Sequence, residues 1–179
     1  GQLGQEILKQ KPSGIEIFNP SRNKLDLSDS KSCINTVLDL KPDWIINCAA
    51  YTQVDEAEKN IKLSQQINSD APGAFTKAIN ETNSKLLHIS TDFVFDGNQS
   101  FPYRENQTRN PLSQYGASKA LGEELIEKNI QNINKATILR TSWVISPRGK
   151  NFILTMLRLH SEKDFIKVVS DQIGCPTST

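Results

Sequence analysis

The chain has 179 residues and almost balanced charge, with 21 Lys and Arg against 20 Asp and Glu. This length suits one domain with a sizeable core. The charges are interspersed and form no basic stripe, which argues against nucleic-acid binding. The longest apolar runs are much shorter than the roughly 20 residues of a membrane helix. Cys33, Cys48 and Cys175 have no metal-ligand spacing, and we expect free thiols in a reducing cytoplasm.

Apolar segments of strand length alternate with helical patterns along the chain. The predicted strands are 15–18, 44–49, 86–90, 136–144 and 166–170, and the predicted helices are 2–10, 31–41, 62–82, 114–129 and 151–161. Ser28 or Asp29 is expected to cap the second helix, and Pro72 to break the third. Continuous apolar strands are typical of a parallel sheet covered on both faces. The order predicts an α/β fold, a Rossmann-like doubly wound parallel sheet.

Both ends of this predicted fold are expected to be truncated. The chain opens on the turn 1-GQLG-4 with no strand before it, and it closes on 171-DQIGCPTST-179 with no terminating element. Glycine in such a turn lets a pyrophosphate approach the helix N-terminus, although a plain turn before a helix is the alternative.

Ligands bind at the carboxyl ends of the strands in such a sheet. The residues that follow the predicted strands are therefore candidates for a binding site: Ala50, Tyr51, Thr52, Ser90, Thr91, Asp92 and Trp143. Arg22 lies where an arginine would favour binding of a ribose 2′-phosphate, and so of NADP over NAD. The alternative is that it is a solvated loop arginine. Asp26 is placed either against an adenine or in the cap of the next helix. His88 is interpreted as a buried core or supporting residue.

The stretch 110-NPLSQYGASKALGEE-124 contains the most specific pattern, Tyr115-x-x-x-Lys119. Residues four apart share a helix face, and a lysine ammonium lowers the pKa of a nearby phenol. Such a tyrosine can protonate a carbonyl oxygen as a general acid. Gly116 and Ala117 would leave room for a cofactor beside the ring. The alternative is that Tyr115 packs and Lys119 is solvated.

Several stretches together resemble the extended short-chain dehydrogenase/reductase superfamily, whose active site combines Ser or Thr with Tyr-x-x-x-Lys. Within it, the chain resembles the dTDP-4-dehydrorhamnose reductase family. The resemblance covers essentially the whole chain and is carried by 1-GQLG-4, 42-PDWIINCAAYTQVDEAE-58, 90-STDFVFDG-97, 111-PLSQYGASKALGE-123, 140-RTSWV-144, 151-NFILTMLRL-159 and 171-DQIGCPT-177. The family often has Tyr in place of Phe93 and His in place of Tyr51.

The resemblance implies a role for each matching residue. The implied catalytic residues are Thr91, Tyr115 and Lys119. The implied cofactor contacts are Gly1, Gln2, Leu3, Asp26, Leu27, Ala50, Tyr51, Thr52, Tyr115 and Lys119. The implied substrate contacts are Thr91, Asp92 and Trp143, and no residue is assigned to a metal. Residues 1–150 are then a NAD(P)-binding Rossmann domain without its first strand, and 151–179 continue it and begin an incomplete sugar-nucleotide-binding lobe.

The implied reaction is reduction of the C4 ketone of dTDP-4-dehydrorhamnose by NADPH, with NADH as the other candidate, in the cytoplasm. The implied partners are the dTDP-sugar and a second copy in a homodimer, with no nucleic acid polymer and no membrane. The family further suggests Mg²⁺ at a subunit interface, which this chain does not support. Two alternatives stay open: another sugar-nucleotide epimerase or dehydratase, and a non-catalytic NADP-binding regulatory subunit resembling that of methionine adenosyltransferase.

Overall fold

A computed structural model describes all residues, 1–179, as an α/β structure. Its α-helices are α1 Gln2–Lys9, α2 Ser30–Leu40, α3 Val54–Lys59, α4 Ile61–Gln65, α5 Ala71–Asn80, α6 Gln114–Asn129 and α7 Phe152–Glu162. Its strands are β1 Trp44–Asn47, β2 Lys85–Thr91, β3 Ala136–Thr141, β4 Val144–Ile145 and β5 Thr177–Ser178. Short 3₁₀ turns follow β2 (Asp92–Val94) and precede β3 (Ile133–Lys135).

The strands form two small sheets. The larger has the order β1-β2-β3, and β1 runs parallel to β2 with Trp44 opposite Lys85 and Asn47 opposite His88. The smaller joins β4 to β5, also in parallel. Parallel pairing of neighbouring strands that are separated by helices confirms the predicted α/β class.

Two predicted strands are wrong. Residues 15–18 and 166–170 adopt no strand, and their apolar side chains are largely exposed, as in Phe18 (55%) and Val169 (66%). A strand exists only where a neighbour completes its backbone hydrogen bonds, and neither segment belongs to a ladder. The predicted strand 136–144 is divided between β3 and β4, because Trp143 adopts φ of 44° and interrupts the extended backbone.

Contacts divide the chain into two compact units. The central unit, residues 19–140, contains the three-stranded sheet and helices α2 to α6. Its core is built from β2 and from the facing sides of α2, α5 and α6, with Val37, Phe75, Ile79, Leu86 and Ile126 buried. The terminal unit, residues 1–18 with 141–179, contains α1, α7 and the β4-β5 pair. The sequence also predicted a boundary at residue 150 between a cofactor-binding domain and a sugar-nucleotide-binding lobe. That boundary concerns ligand binding, and it stays a prediction.

The predicted break at Pro72 takes the form of a π-helical segment, Gln66–Asp70, between α4 and α5. Proline has no backbone N–H to donate to the carbonyl four residues earlier, which here belongs to Asn68. The wider turn accommodates the proline ring without ending the helix. The Asn68 carbonyl is thereby left available to another helix.

Candidate active site

Helix α6 carries the Tyr-x-x-x-Lys pair and begins at a well-defined N-terminus. The Ser113 side chain accepts a hydrogen bond from the Gly116 N–H at 3.1 Å, as an N-cap residue does. A Glu58 carboxylate oxygen accepts the Gln114 N–H at 2.8 Å and places negative charge at the positive end of the helix. Glu58 thereby connects α3 to the start of α6.

Two glycines let α6 approach its neighbours closely. A Cβ on Gly116 would lie 2.3 Å from the carbonyl oxygen of Phe93, and one on Gly122 would lie 2.1 Å from that of Asn68. Side chains at these positions would force the helix away from the end of β2 and from the π-helical segment. The expectation that Gly116 leaves room for a cofactor is therefore wrong, because the Phe93 carbonyl occupies that space.

Strand β2 delivers Thr91 and Asp92 to the first turn of α6. The Thr91 hydroxyl donates to Asp92 Oδ1 at 3.1 Å and accepts the Phe93 N–H at 3.2 Å. It also lies close enough to the Tyr115 phenol to lower the pKa of that group in part. The Phe93 ring packs edge-on against the Tyr115 ring, with centroids 5.5 Å apart. The structure therefore brings three predicted site residues, Thr91, Asp92 and Tyr115, into one cluster.

The ionisation of Tyr115 differs from the prediction. Burial raises the pKa of its phenol, a hydrogen bond with Thr91 lowers it in part, and the negative charge of Asp92 raises it further. Burial also raises the pKa of Asp92. The prediction that Lys119 lowers the Tyr115 pKa is not confirmed, because the lysine amine is engaged elsewhere. A phenol with a raised pKa keeps its proton at neutral pH and can act only as an acid there.

Lys119 is buried rather than solvated, with 2% of its surface exposed. Its amine donates to the Ile89 carbonyl at 2.7 Å and lies 3.2 Å from His88 Nε2. Burial lowers the pKa of Lys119 to about 8, although the carboxylate of Glu123 opposes this shift. His88 is buried, as the sequence indicated, and burial together with Lys119 holds its pKa well below the usual value.

Asn68 connects the end of β1 to helix α6, and the sequence reasoning missed it. Its side chain accepts the Tyr51 N–H at 2.8 Å and donates to the Tyr51 carbonyl at 3.0 Å. It also donates to the Ser118 hydroxyl at 2.9 Å, which in turn donates to the Tyr115 carbonyl. Asn68 stands among other polar residues, so the sequence around it contained no distinctive signal.

A second missed feature is the buried carboxylate of Glu123. Arg140 holds it with nitrogen–oxygen distances of 2.6 to 3.2 Å, and Arg109 adds a contact of 3.0 Å. Burial raises the pKa of Glu123, but hydrogen bonds from Arg140, Ser90 and Arg109 outweigh it and leave the pKa lowered. The arginines also anchor the long loop after β2, since Arg140 donates to the Glu105 carbonyl at 2.9 Å.

The remaining central-unit residues predicted to contact a cofactor lie in two loops. Ala50, Tyr51 and Thr52 follow β1, where Ala50 and Tyr51 are half-buried and Thr52 is exposed. In the loop before α2, which also contains Leu27, the Asp26 carboxylate accepts the N–H and the hydroxyl of Ser28 at 2.9 and 2.8 Å. The N-cap of α2 is Asp29, which accepts the Lys31 N–H. Asp26 therefore orders the loop and does not cap the helix itself.

Gly1, Gln2, Leu3 and Trp143 belong to the terminal unit, and no side chain caps the start of α1. Gln2 accepts a hydrogen bond from Asn151 at 2.8 Å. Trp143 is the only non-glycine residue besides Lys41 with a positive φ, and 46% of its surface is exposed. A Cβ on Gly174 would lie 2.4 Å from the indole ring, so this glycine allows the backbone to lie against Trp143. Strained backbone of this kind is concentrated at functional sites.

Across residues 1–179, no group of three His, Cys, Asp or Glu side chains could hold a metal ion. No helix is long and apolar enough to cross a membrane.

Known proteins are similar to this chain over almost its whole length. The family model described as the RmlD substrate binding domain matches residues 1–179. The dTDP-4-dehydrorhamnose reductase of Salmonella typhimurium is 43% identical over 181 residues, which cover 99% of this chain and 60% of that protein. Among the solved structures that cover 99% of this chain is the dTDP-4-dehydrorhamnose reductase of Clostridium acetobutylicum, with a TM-score of 0.93 and 37% identity over 62% of that chain. Another is the dTDP-4-dehydrorhamnose reductase of Bacillus anthracis in complex with NADP, with a TM-score of 0.92 and 38% identity over 63% of that chain.

The chain thus spans about three-fifths of the length of these relatives. The family match, in contrast, extends from the first residue to the last. The chain belongs to the RmlD substrate-binding domain family.

Proposed function

We propose that the protein carrying this chain reduces the C4 ketone of dTDP-4-dehydrorhamnose (dTDP-4-dehydro-6-deoxy-L-mannose) to dTDP-L-rhamnose with NADPH, for the synthesis of rhamnose-containing polysaccharides. The observation that carries this proposal is the grouping of Thr91 and Asp92 at the end of β2 with Tyr115 and the buried Lys119 on α6. The names of the relatives support the substrate, and the NADP bound to one solved relative supports the cofactor.

The side chains of the central unit have complementary roles in such a reduction. When bound, the nicotinamide supplies the hydride for the carbonyl carbon. The Thr91 hydroxyl, which donates to Asp92 in the structure, would turn to donate its hydrogen bond to the carbonyl oxygen and stabilise the developing negative charge there. Tyr115 would then give its proton to that oxygen, which is a stronger base than the phenolate left behind. Asp92, next to Thr91, is assigned to the sugar together with Trp143.

Separate features of the chain support a dinucleotide as the cofactor. Two small side chains, the exposed Ala49 and the half-buried Ala50, follow β1, where a flat ligand can approach the sheet edge. The uncapped N–H groups at the start of α1 suit a pyrophosphate, since Gly1 contributes no side chain there. The exposed Arg22 side chain, 3.9 Å from Asp26, is available to a 2′-phosphate and supports NADPH over NADH.

The alternative functions are less well supported. An epimerase or dehydratase would regenerate its bound NAD, and a regulatory subunit would need no proton donor. The family match and the complete Thr91, Tyr115 and Lys119 set favour the reductase. A cytoplasmic location and a homodimer remain predictions, whereas Mg²⁺ at a subunit interface is suggested by the family resemblance alone.

The test is the removal of one hydroxyl group in the complete protein. Tyr115→Phe should lose most of its turnover while it keeps NADPH binding, because the ring remains and only the proton donor is lost. Tyr103→Phe is the matched control, since its hydroxyl bonds to Asp96 in the loop after β2. Oxidation of NADPH and NADH would be followed at 340 nm with dTDP-4-dehydrorhamnose. Near-normal turnover in Tyr115→Phe, or no net consumption of either cofactor by the unaltered protein, would refute the proposal.

A further inference from the structure

A chain of three buried polar side chains lies behind the Tyr115 cluster. Lys119, His88 and Asn47 are 2%, 1% and 5% exposed. Lys119 Nζ lies 3.2 Å from His88 Nε2, and His88 Nδ1 lies 3.1 Å from Asn47 Nδ2. Both ring nitrogens of His88 are therefore engaged, one by the lysine on α6 and the other by the last residue of β1.

Hydrogen-bond accounting limits the protonation state of His88. A lysine ammonium has three donors and no acceptor, and here one donor is used by the Ile89 carbonyl. An imidazolium would point a second N–H at the ammonium and bring two positive charges together in a buried site. The neutral imidazole instead offers the Nε2 lone pair to the ammonium. Burial and the charge of Lys119, which both lower the His88 pKa, favour the same neutral form.

Asn47 can match either tautomer of that imidazole. If Nε2 accepts from the ammonium, Nδ1 carries the proton and must donate to the amide oxygen of Asn47. If Lys119 is a neutral amine, Nε2–H donates to it, and Nδ1 accepts from the Asn47 amide NH₂. The amide meets each requirement by a half-turn that exchanges its oxygen and nitrogen. The orientation present has Asn47 Nδ2 beside His88 Nδ1, so it corresponds to the second case. Asn47 Oδ1 accepts the Ala49 N–H at 3.3 Å in this orientation, and the half-turn gives up that hydrogen bond.

We propose that His88 is a positioning residue for Lys119: a neutral imidazole, oriented by Asn47, that bonds the lysine amine in both of its charge states. The role assigned to Lys119 in turnover rests on the proposed function, whereas the hydrogen-bonded arrangement does not. His88 keeps Lys119 extended along the end of β2 without adding a charge to the site.

The other charged and titratable groups around Lys119 fit this role. On α6 itself, Tyr115 precedes Lys119 by one turn and Glu123 follows by one turn. Glu123 is paired with Arg140 from β3 and Arg109 from the loop after β2. The negative charge of Asp92, in the 3₁₀ turn after β2, raises the pKa of Tyr115. His88 is the titratable side chain of β2 that contacts the lysine amine directly.

The first test reports on His88 without any turnover. In the complete protein labelled with ¹⁵N-histidine, the His88 signals are assigned by their loss in His88→Gln. We expect the ring to be neutral at pH 6.5, where a free histidine is half protonated. The protonated nitrogen should change from Nδ1 to Nε2 as Lys119 loses its charge, near pH 8, where its lowered pKa lies. In Lys119→Met this change should vanish. An imidazolium at about pH 6.5, or a tautomer that never changes, overturns the proposal.

The second test separates positioning from packing. His88→Gln retains an amide that can bond the lysine, whereas His88→Leu fills similar space without a polar atom. We expect Leu to lower kcat/KM about ten- to a hundredfold, and to move the alkaline limb of the pH profile to lower pH, because the ammonium loses an acceptor. Gln should restore the limb and most of the rate. If both variants lost kcat/KM equally and the alkaline limb of the pH profile did not move, His88 would be a packing residue and the proposal would be refuted. An unaltered protein without reductase activity refutes the proposed function instead, and the NMR result stands.

Discussion

Replacing Lys119 by Met should change how the stability of the protein depends on pH. A lysine in an unfolded chain titrates near 10.4, whereas burial lowers the pKa of Lys119 to about 8 in the folded protein. Between these values the unfolded state binds more protons than the folded state, so this group makes the free energy of unfolding rise with pH. The cost of burying the ammonium is present in full below about pH 8 and is relieved as the pH approaches 10.

The magnitude follows from the two pKa values. A difference of about 2.4 pH units corresponds to about 3 kcal/mol at 1.36 kcal/mol per unit. Because the unfolded lysine is still mostly charged at pH 10, about 2.5 kcal/mol of this should be seen between pH 7 and 10. Lys119 is 2% exposed, so solvent screening does not reduce this figure substantially.

The assay is urea unfolding of the unaltered protein and of Lys119→Met at pH 7, 8, 9 and 10, with the difference in free energy plotted against pH. All other ionisable groups are common to both proteins, so the difference isolates this lysine. Lys77→Met, which removes an exposed lysine from α5, is the matched control and should give a flat difference. A change below about 0.5 kcal/mol for Lys119→Met over this range would refute the reasoning, because the ammonium would then be as well solvated in the fold as outside it.

Two further substitutions test how α6 is held. Gly122→Ala should destabilise the protein by about 1–3 kcal/mol and reduce turnover, because the new methyl group meets the backbone carbonyl of Asn68. Gly73→Ala, whose Cβ would lie 3.3 Å from the Leu125 Cβ and would meet no backbone carbonyl, should lower the midpoint of thermal unfolding by less than Gly122→Ala does. Arg140→Met should cost about 3–5 kcal/mol in urea unfolding at pH 7, because it leaves the fully buried carboxylate of Glu123 with one arginine fewer. A loss below about 1 kcal/mol would mean that water or the remaining arginine replaces this partner.

The alternation of strands and helices was readable from the sequence because it depends on local patterns. The apolar run around Ile45 and the helical pattern of 114–129 have strong signals within a few residues. The helix formed as predicted, and the strand formed at residues 44–47 of the predicted 44–49. The segments 15–18 and 166–170 have the same apolar character, yet they form no strand. Strand formation requires a hydrogen-bonding neighbour, and a local pattern contains no information about that neighbour.

The positions of the residues proposed to react could likewise be predicted from the sequence, whereas their electrostatic state could not. Spacing alone predicted that Tyr115 and Lys119 share a helix face and that Thr91 follows a strand. The direction of the Tyr115 pKa shift was predicted wrongly, because burial and Asp92 decide it while the lysine amine is engaged by Ile89.

The sequence by itself determined the order of elements, the turn chemistry and the residue types available for catalysis, because these depend on near neighbours along the chain. Only the tertiary structure decided which groups are buried together. Asn68 bonds Tyr51 and Ser118 across 17 and 50 residues, and Glu123 meets Arg140 across 17. Such contacts depend on the close approach of whole helices, which Gly116 and Gly122 permit. Burial then lowers the pKa values of Lys119 and His88, because removal from water penalises the charged form of each.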